Sequence, residues 1–538
     1  MTPTTKKPLS LFLVLALVFF GQAAAYAQSA PANGDNPLFR HLPPDASDIY
    51  QINLPAINAK VSWEQLMAKV PAQKEDQKQE WLEFLKDPAS AGIDIHQDMF
   101  ITMANKDSQD SSGYTTFLVH LSDSAKFVSF LRTQVKGLRI FNYPGKGRGA
   151  GKDLTGAAWN KDLGIVTIVR PSIHELMVKG QRGVNTKTPP VSPAIAVLAA
   201  KKSFSALHGF DGSFYTTDPI FKAGFSDDAD FHGWAAQGSG MAMLMKTFLK
   251  KDLTAGMGNF TKAMGNSGTR TLTTLRFEAG RIVFQSRVIM TPDAASLTAK
   301  FNGRPLNTDL LARIPKGDLL GMVNFHFDPA AIGAILDKAM FRSKLDSTLA
   351  PMELSTDKIL HTFKGDFLVA AIGMARSADG GGKEPVPAIF FATTLDNTDQ
   401  FRKLADKLKL LDDSVGMLKK MKAGYALQDN IFVVSKDNQL AGSFFTNTER
   451  RNTDFVTERL KDNPFSLYID IKTLTSFIES IKGEAGEKNK KMLPFLQAFD
   501  KIIFTAGKVQ GNEMESRIEV KMSDASENSL RTLFKLFP

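Results

Sequence analysis

The sequence predicts an α+β fold of two tandem related repeats, each a mainly antiparallel sheet with helices packed on one face. Two observations carry that prediction. Leu42-Pro43-Pro44-Asp45-Ala46-Ser47-Asp48-Ile49-Tyr50-Gln51-Ile52-Asn53 returns in outline as Arg313-Ile314-Pro315-Lys316-Gly317-Asp318-Leu319-Leu320-Gly321-Met322-Val323-Asn324, with Pro44 and Pro315, and Asn53 and Asn324, both 271 positions apart. Behind each copy, apolar and β-branched runs bounded by polar turn residues alternate with apolar residues at helical spacing, in one shared order. The chain therefore divides into a first repeat over 41–302 and a second over 303–538.

The elements follow in sequence. Asp98-Met99-Phe100-Ile101-Thr102-Met103-Ala104 matches Asp366-Phe367-Leu368-Val369-Ala370-Ala371, and each reads as a strand. Polar loops at 106–113 and 377–383 lead to second strands at 114–120 and 388–394, so both pairs are hairpins. Helix starts follow at Ser122-Asp123-Ser124 and Asp396-Asn397-Thr398-Asp399, with Phe127, Phe130 and Leu131 matching Phe401, Leu404 and Leu408 at helical spacing. Two short strands around Asn160-Lys161-Asp162 match two around Gln428-Asp429-Asn430. A strand at 233–237 with a helix at 241–249 pairs with 465–470 and 474–478. Strands at 275–277 and 282–289 pair with 503–504 and 516–521, and Pro292-Asp293-Ala294-Ala295 pairs with Ser523-Asp524-Ala525-Ser526.

The offset between copies stays near 270 as far as Asp162 and falls to 230 at Ser286 and Ser516. The first repeat thus carries an insertion near 170–230, with a helix at 172–179, a break at Pro189-Pro190 and a second helix at 192–201. That insertion is a site for a separate job, a structural cap, or the trace of a deletion in the second copy. Phe390-Phe391 and Phe444-Phe445 read as strand interiors, with an apolar cleft between the copies as the alternative.

Lys6 and Lys7 precede an apolar stretch from Leu9 to Phe20, and Ala25-Tyr26-Ala27 forms a small-x-small cleavage site. This is the form of a secretory signal over 1–27, followed by a flexible lead-in over 28–40. The stretch falls short of the ~20 apolar residues of a membrane helix. With no cysteine, the chain has neither disulfides nor an acceptor for a thioether lipid anchor. The expectation is an exported protein, periplasmic rather than extracellular or peripheral to the outer membrane. Loss of 1–27 lowers the formal charge from +10 to +8, and the basic residues are mixed with acids rather than gathered in a nucleic-acid stripe.

Leu42-Pro43-Pro44-Asp45-Ala46 with the strand ending in Ile52-Asn53, Gly92-Ile93-Asp94, Leu275-Arg276-Phe277-Glu278-Ala279-Gly280-Arg281-Ile282-Val283, and Asn528-Ser529-Leu530-Arg531-Thr532-Leu533-Phe534 resemble a large domain-of-unknown-function family. Its members are exported proteins of Gram-negative bacteria, many of them lipoproteins. The resemblance implies export and an α+β architecture and carries no activity. This chain lacks the lipoprotein cysteine.

No catalytic, cofactor-binding or metal-ligating set is assigned. The eight histidines are scattered and show no zinc spacing. Ser239 and Ser267 do not complete Gly-x-Ser-x-Gly, and Ser355-Thr356-Asp357-Lys358 reads as a helix cap rather than a nucleophile motif. Gly145-Lys146-Gly147-Arg148-Gly149-Ala150-Gly151-Lys152 has the wrong spacing for a phosphate loop and reads as a mobile basic connector. His208, Asp211, Asp218, Asp227, Asp228, Asp230 and His232 concentrate metal-capable groups without a calcium-loop pattern, so solvated turns are the default. Forty Phe against seven Tyr and four Trp suit core filling better than sugar platforms.

The resulting expectation is a non-catalytic binding or scaffolding protein of the cell envelope, its partner an envelope protein, peptide or lipid. The alternatives are an envelope-polymer hydrolase whose acidic residues are dispersed in sequence and a binder of anionic lipid whose basic face includes 145–152. Two carboxylates facing each other in a deep polar cleft would favour the hydrolase, and a broad apolar groove the binder.

Overall fold

The computed structural model describes residues 36–68, 87–104, 113–134, 139–143, 147–152, 154–170, 193–236, 269–301, 304–305, 307–315, 317–338, 341–373, 387–408, 410, 418, 423–436, 438–446, 460–480 and 493–536. The signal over 1–27, most of the lead-in, the helices at 172–179 and 241–249, the Pro189-Pro190 break, the two hairpin loops, Ser239 and Ser267 lie outside the described residues.

The first half contributes β1 (Asp48–Ile52), β2 (Met99–Ala104), β3 (Gly113–His120), β4 (Arg139–Tyr143), β5 (Gly147–Lys152), β6 (Thr155–Trp159), β7 (Leu163–Arg170), β8 (Phe231–Ala235), β9 (Arg270–Glu278) and β10 (Arg281–Ile289). The second contributes β11 (Asp318–His326), β12 (Phe363–Gly373), β13 (Ala388–Leu395), β14 (Gly424–Gln428), β15 (Ile431–Ser435), β16 (Phe465–Asp470), β17 (Phe499–Gln510) and β18 (Glu513–Met522). The helices of the first half are α1 (Leu54–Lys60), α2 (Trp63–Ala68), α3 (Ser124–Gln134), α4 (Pro193–His208), α5 (Phe214–Thr217), α6 (Pro219–Gly224) and α7 (Pro292–Phe301). Those of the second are α8 (Thr308–Ala312), α9 (Pro329–Lys338), α10 (Arg342–Leu349), α11 (Thr356–Leu360), α12 (Thr398–Lys407), α13 (Asn438–Thr446), α14 (Ile471–Ser480), α15 (Leu493–Leu496) and α16 (Ser529–Leu536).

The strands join in one sheet, antiparallel at every junction, in the spatial order β4-β5-β6-β7-β3-β2-β1-β8-β9-β10-β18-β17-β16-β11-β12-β13-β15-β14. The fold is therefore α+β around one large antiparallel sheet. Its midline is the β10–β18 ladder, running from Arg281 opposite Lys521 to Ile289 opposite Glu513. Outward from that line the order in the first half is β10, β9, β8, β1, β2, β3, β7, β6. In the second half it is β18, β17, β16, β11, β12, β13, β15, β14. The two hairpins at the midline turn on Gly280 (φ 65°) and Gly511 (φ 60°), left-handed positions that suit a residue without Cβ.

Helices cover one face through Leu38 and Phe39 of a short helical turn with α4 to α6 in the first half, and through α8 and α13 in the second. The first half also carries a layer on the opposite face. There Leu54 of α1, Trp63 of α2 and Phe127 of α3 meet Met99, Phe117 and Val166, whereas Phe100, Leu118 and Ile165, the next residue along in each case or the one before, point to the first layer. On that second face α12 covers β13 and β15 through Phe401 and Phe432. Helices α14 and α16 cover the midline through Ile471, Leu530 and Leu533.

Both β7 and β15 are followed by a helix lying over their strand pair, α4 over β6 and β7 and α13 over β14 and β15. Among the described residues only the first half has β4, β5, α5 and α6. The last two bury Tyr215, Phe221 and Phe225 against Phe39, Phe100 and Trp234, so this part of the insertion is a cap on the core.

Three sequence expectations are corrected. The run from Gly147 to Lys152 is strand β5, paired to β4 and β6, rather than a connector; its small residues form a bed on which α4 rests. Phe444 and Phe445 lie in helix α13, because Leu440, Ala441 and Phe444 repeat at helical spacing and pack into the core. Asn53 caps α1 by accepting from Ala56 N at 2.9 Å, while Asn324 lies inside the longer β11 and Asp328 accepts from Ala330 N instead.

Candidate functional site

In β11, β12, β13 and β16, burial alternates strictly enough to define two faces. Met322, Asn324 and His326, Leu368 and Ala370, Ala388, Phe390 and Ala392, and Ser466 and Tyr468 are buried beneath the helices. The residues between them face the other way and are only partly buried, and Ile389 is 55% exposed. Strand register sets these outward residues in rows. One row runs Phe391, Val369, Val323, Leu467, Phe504, and the next runs Phe367, Phe325, Phe465.

The rings lie nearly flat on one another. Phe325 and Phe367 are 5.1 Å apart at 11°, Phe327 and Phe367 4.9 Å at 14°, and Phe325 and Phe465 6.3 Å at 23°. Phe504 and Phe391 extend the surface at 5.3 Å from Phe465 and 6.1 Å from Phe367. This aromatic platform sits between the ground covered by α12 and that covered by α14 and α16. The matching ground on β1, β2 and β3 lies under Leu54 and Trp63. Adjacent Phe residues on neighbouring strands were visible in the sequence as strand interiors, but which face of the strands they occupy was not.

Each half holds a carboxylate at the same place, Asp366 buried and Asp98 partly buried. Asp366 accepts from His326 Nδ1 at 2.8 Å, Thr394 Oγ1 at 2.7 Å and Asn307 Nδ2 at 3.2 Å. Asp98 accepts from Gln51 Nε2 at 2.6 Å and Asn36 Nδ2 at 3.3 Å. Asn36 and Asn307 also cap the short helical turns that follow them, accepting from Leu38 N and Asp309 N. Burial raises Asp98 above its ordinary range despite the Gln51 hydrogen bond. Burial acts the same way on Asp366, but hydrogen bonds from His326, Thr394 and Asn307 outweigh it and hold the carboxyl below the usual range.

A depressed carboxyl contributes stability that is present above the unfolded value of about 3.9 and lost as pH falls through the folded value. Asp366→Asn is therefore expected to flatten the acid limb of stability below about pH 4, measured as the urea midpoint against pH. An unchanged acid limb would remove Asp366 from the acid response.

Ser466, His326 and Asp366 are the residue types of a nucleophile relay. Ser466 is fully buried and makes no hydrogen bond to His326, so the relay is not assembled.

The metal-capable residues of the insertion are dispersed into separate pairs. His232 Nε2 meets Asp227 at 2.8 Å, and Arg276 meets the other Asp227 oxygen at 2.6 Å. Burial would raise Asp227, but His232, the Ala229 amide and Arg276 hold it well below the carboxylate range. Asp230 pairs with Lys60, Asp218 caps α6 and meets Arg270, Asp211 lies near Arg40, and Asp228 is solvated beside Arg276. His208 packs edge-on against Phe204. Among the described residues no three of these groups converge as metal ligands. Ser355 caps α11 by accepting from Lys358 N.

No helix among the described residues is long and apolar enough to cross a membrane. No family model matches the chain, and no curated protein matches it. Solved structures similar to it include crystal form IV of TP0453, at 8% identity and a TM-score of 0.27, covering 51% of this chain and 85% of that one. Crystal form III of TP0453 matches at 8% identity and a TM-score of 0.26, over 52% and 89% of the two chains. Likeness at this level carries no argument about function.

Proposed function

We propose that this protein is an exported, non-catalytic binding or scaffolding component of the cell envelope. In this reading it is built from two related copies of one unit and holds an amphipathic helix of a partner protein on the aromatic platform of the second. The secretory form of residues 1–27 supports export. The common strand order on either side of the β10–β18 ladder supports duplication.

The observation that carries the binding role is the platform itself, five strands of outward Phe, Val, Leu and Ile side chains in register. A helix is the favoured occupant because the protein covers the neighbouring ground on this face with its own helices, including the matching ground in the first half with Trp63 of α2. Five strands at ~4.8 Å span about 19 Å, the length of a helix of about 13 residues. The carboxylates Asp98, Asp230 and Asp366 are each engaged by donors from the fold, which supports a structural rather than a catalytic use.

Ile389→Glu places a charge on the most exposed apolar residue of the platform. The expected result is loss of most of the protein captured from detergent-solubilised envelopes of the host, quantified by mass spectrometry, with an unfolding free energy within about 0.5 kcal/mol of the parent. Equal recovery of the same partners by parent and variant would remove the platform from the binding surface.

A further inference from the structure

Across the β11–β16 ladder Asn324 stands opposite Ser466. Both are fully buried, and neither the amide of Asn324 nor the hydroxyl of Ser466 has a hydrogen-bond partner among the described residues. Two positions along β11 on the same face, His326 directs Nδ1 to Asp366, and its Nε2 is buried and unpartnered as well. The first half repeats the pattern at the same ladder position. Gln51 stands opposite His232, and Gln51 Oε1 and His232 Nδ1 are buried without partners among the described residues.

An amide held in an interior without hydrogen bonds costs free energy that folding must overcome elsewhere. Native interiors usually relieve this with ordered water, which needs two to four polar partners. Recurrence at one ladder position in both halves marks the feature as a property of the unit.

The halves differ in side-chain reach. In the first, Gln51 extends to Asp98, His232 extends to Asp227, and Phe225 stacks on the His232 ring at 5.6 Å. In the second, the shorter Asn324 and Ser466 take the two positions, and among the described residues α6 with its neighbour Phe225 has no counterpart between β15 and β16. The atoms left are complementary to water. Asn324 Nδ2 donates and Oδ1 accepts, and Ser466 Oγ does both. His326 Nδ1 is engaged by Asp366, which leaves Nε2 to exchange a hydrogen bond with water.

We propose that the second half binds internal water between Asn324, Ser466 and His326, a structural ligand that completes the hydrogen bonding around Asp366. The inference is independent of the partner-binding reading. It is tested on the full chain with Asn324→Leu, which keeps the branched outline at a larger volume and removes the amide. The expected result is the loss of at least one long-lived internal water, counted by magnetic relaxation dispersion of water nuclei, together with a melting temperature several degrees lower, because Ser466 and His326 lose their bridge.

An unchanged count of long-lived waters overturns the proposal. So does a melting temperature at or above that of the parent, which is what removal of an amide with no partner of any kind would produce. Should Asn324→Leu fail to fold, Ser466→Ala makes a smaller change and carries the same two readouts with the same reading of each.

Discussion

Gly156→Val is expected to destabilise the protein by about 3 kcal/mol, the upper part of the range for overpacking. Gly156 lies in β6 directly beneath α4, and a Cβ there would stand 2.2 Å from the carbonyl carbon of Ala199 and the amide nitrogen of Ala200. The obstacle is helix backbone, so relief requires the helix to move. Ser203 holds it in place by donating to Gly156 O at 3.0 Å and meeting Thr167 Oγ1 at 2.9 Å, and Thr167 in turn meets Thr116 at 3.1 Å. Lifting α4 would break that buried hydroxyl chain as well as the apolar contacts. Urea unfolding measures the effect, and an unchanged midpoint would mean that α4 is not seated on β6. Gly442 is the contrast. It lies in α13, where a Cβ would meet nothing within 4 Å among the described residues, so Gly442→Ala is expected to stabilise by about 0.5 to 1 kcal/mol through helix propensity alone.

The second large effect falls on the Lys60 and Asp230 pair. Asp230 is fully buried, with Lys60 Nζ 2.5 and 2.6 Å from its two oxygens and Phe277 N donating at 2.7 Å. Its main chain joins the same knot, donating to Leu275 O and accepting from Asn53 N, both at 3.0 Å. The carboxylate thus ties α1 to the turn before β8 and to β9. Breaking such a pair costs about 3 to 5 kcal/mol when the remaining charge stays buried. The Lys60 side chain is 25% exposed and that of Asp230 is not exposed at all, so the two deletions are unequal. Asp230→Ala lets the ammonium turn to water and is expected to cost about 3 kcal/mol, whereas Lys60→Met strands the carboxylate and is expected to cost more. Chemical unfolding of both single variants decides the order. Equal or reversed costs would show that the carboxylate reaches solvent when its partner is removed.

The partners of these side chains were not legible in the sequence. Asp230 stood there among metal-capable neighbours, and nothing local named Lys60, 170 positions away, as its counter-ion. The same holds for Asp98 and Asp366. Their correspondence was legible because each immediately precedes a matching apolar run, at 99–104 and 367–371, but the capping asparagines Asn36 and Asn307 that bind them lie 62 and 59 positions upstream. The misreading of Gly147 to Lys152 has a related cause. A glycine-rich basic run has the composition of a loop, and only the helix resting above it explains why small residues are needed in a strand.

By itself the sequence determined the α+β class, the identity of most strands and that of a minority of the helices. These follow from side-chain period, turn chemistry and capping, which act over a few residues. Tertiary structure alone decided that the two halves share one sheet through β10 and β18, that β1 lies between β8 and β2, and that the Phe rows of the second half lie on the less covered face. Those outcomes depend on pairing and burial between residues tens to hundreds of positions apart, and a one-residue choice of face reverses which side chains are buried.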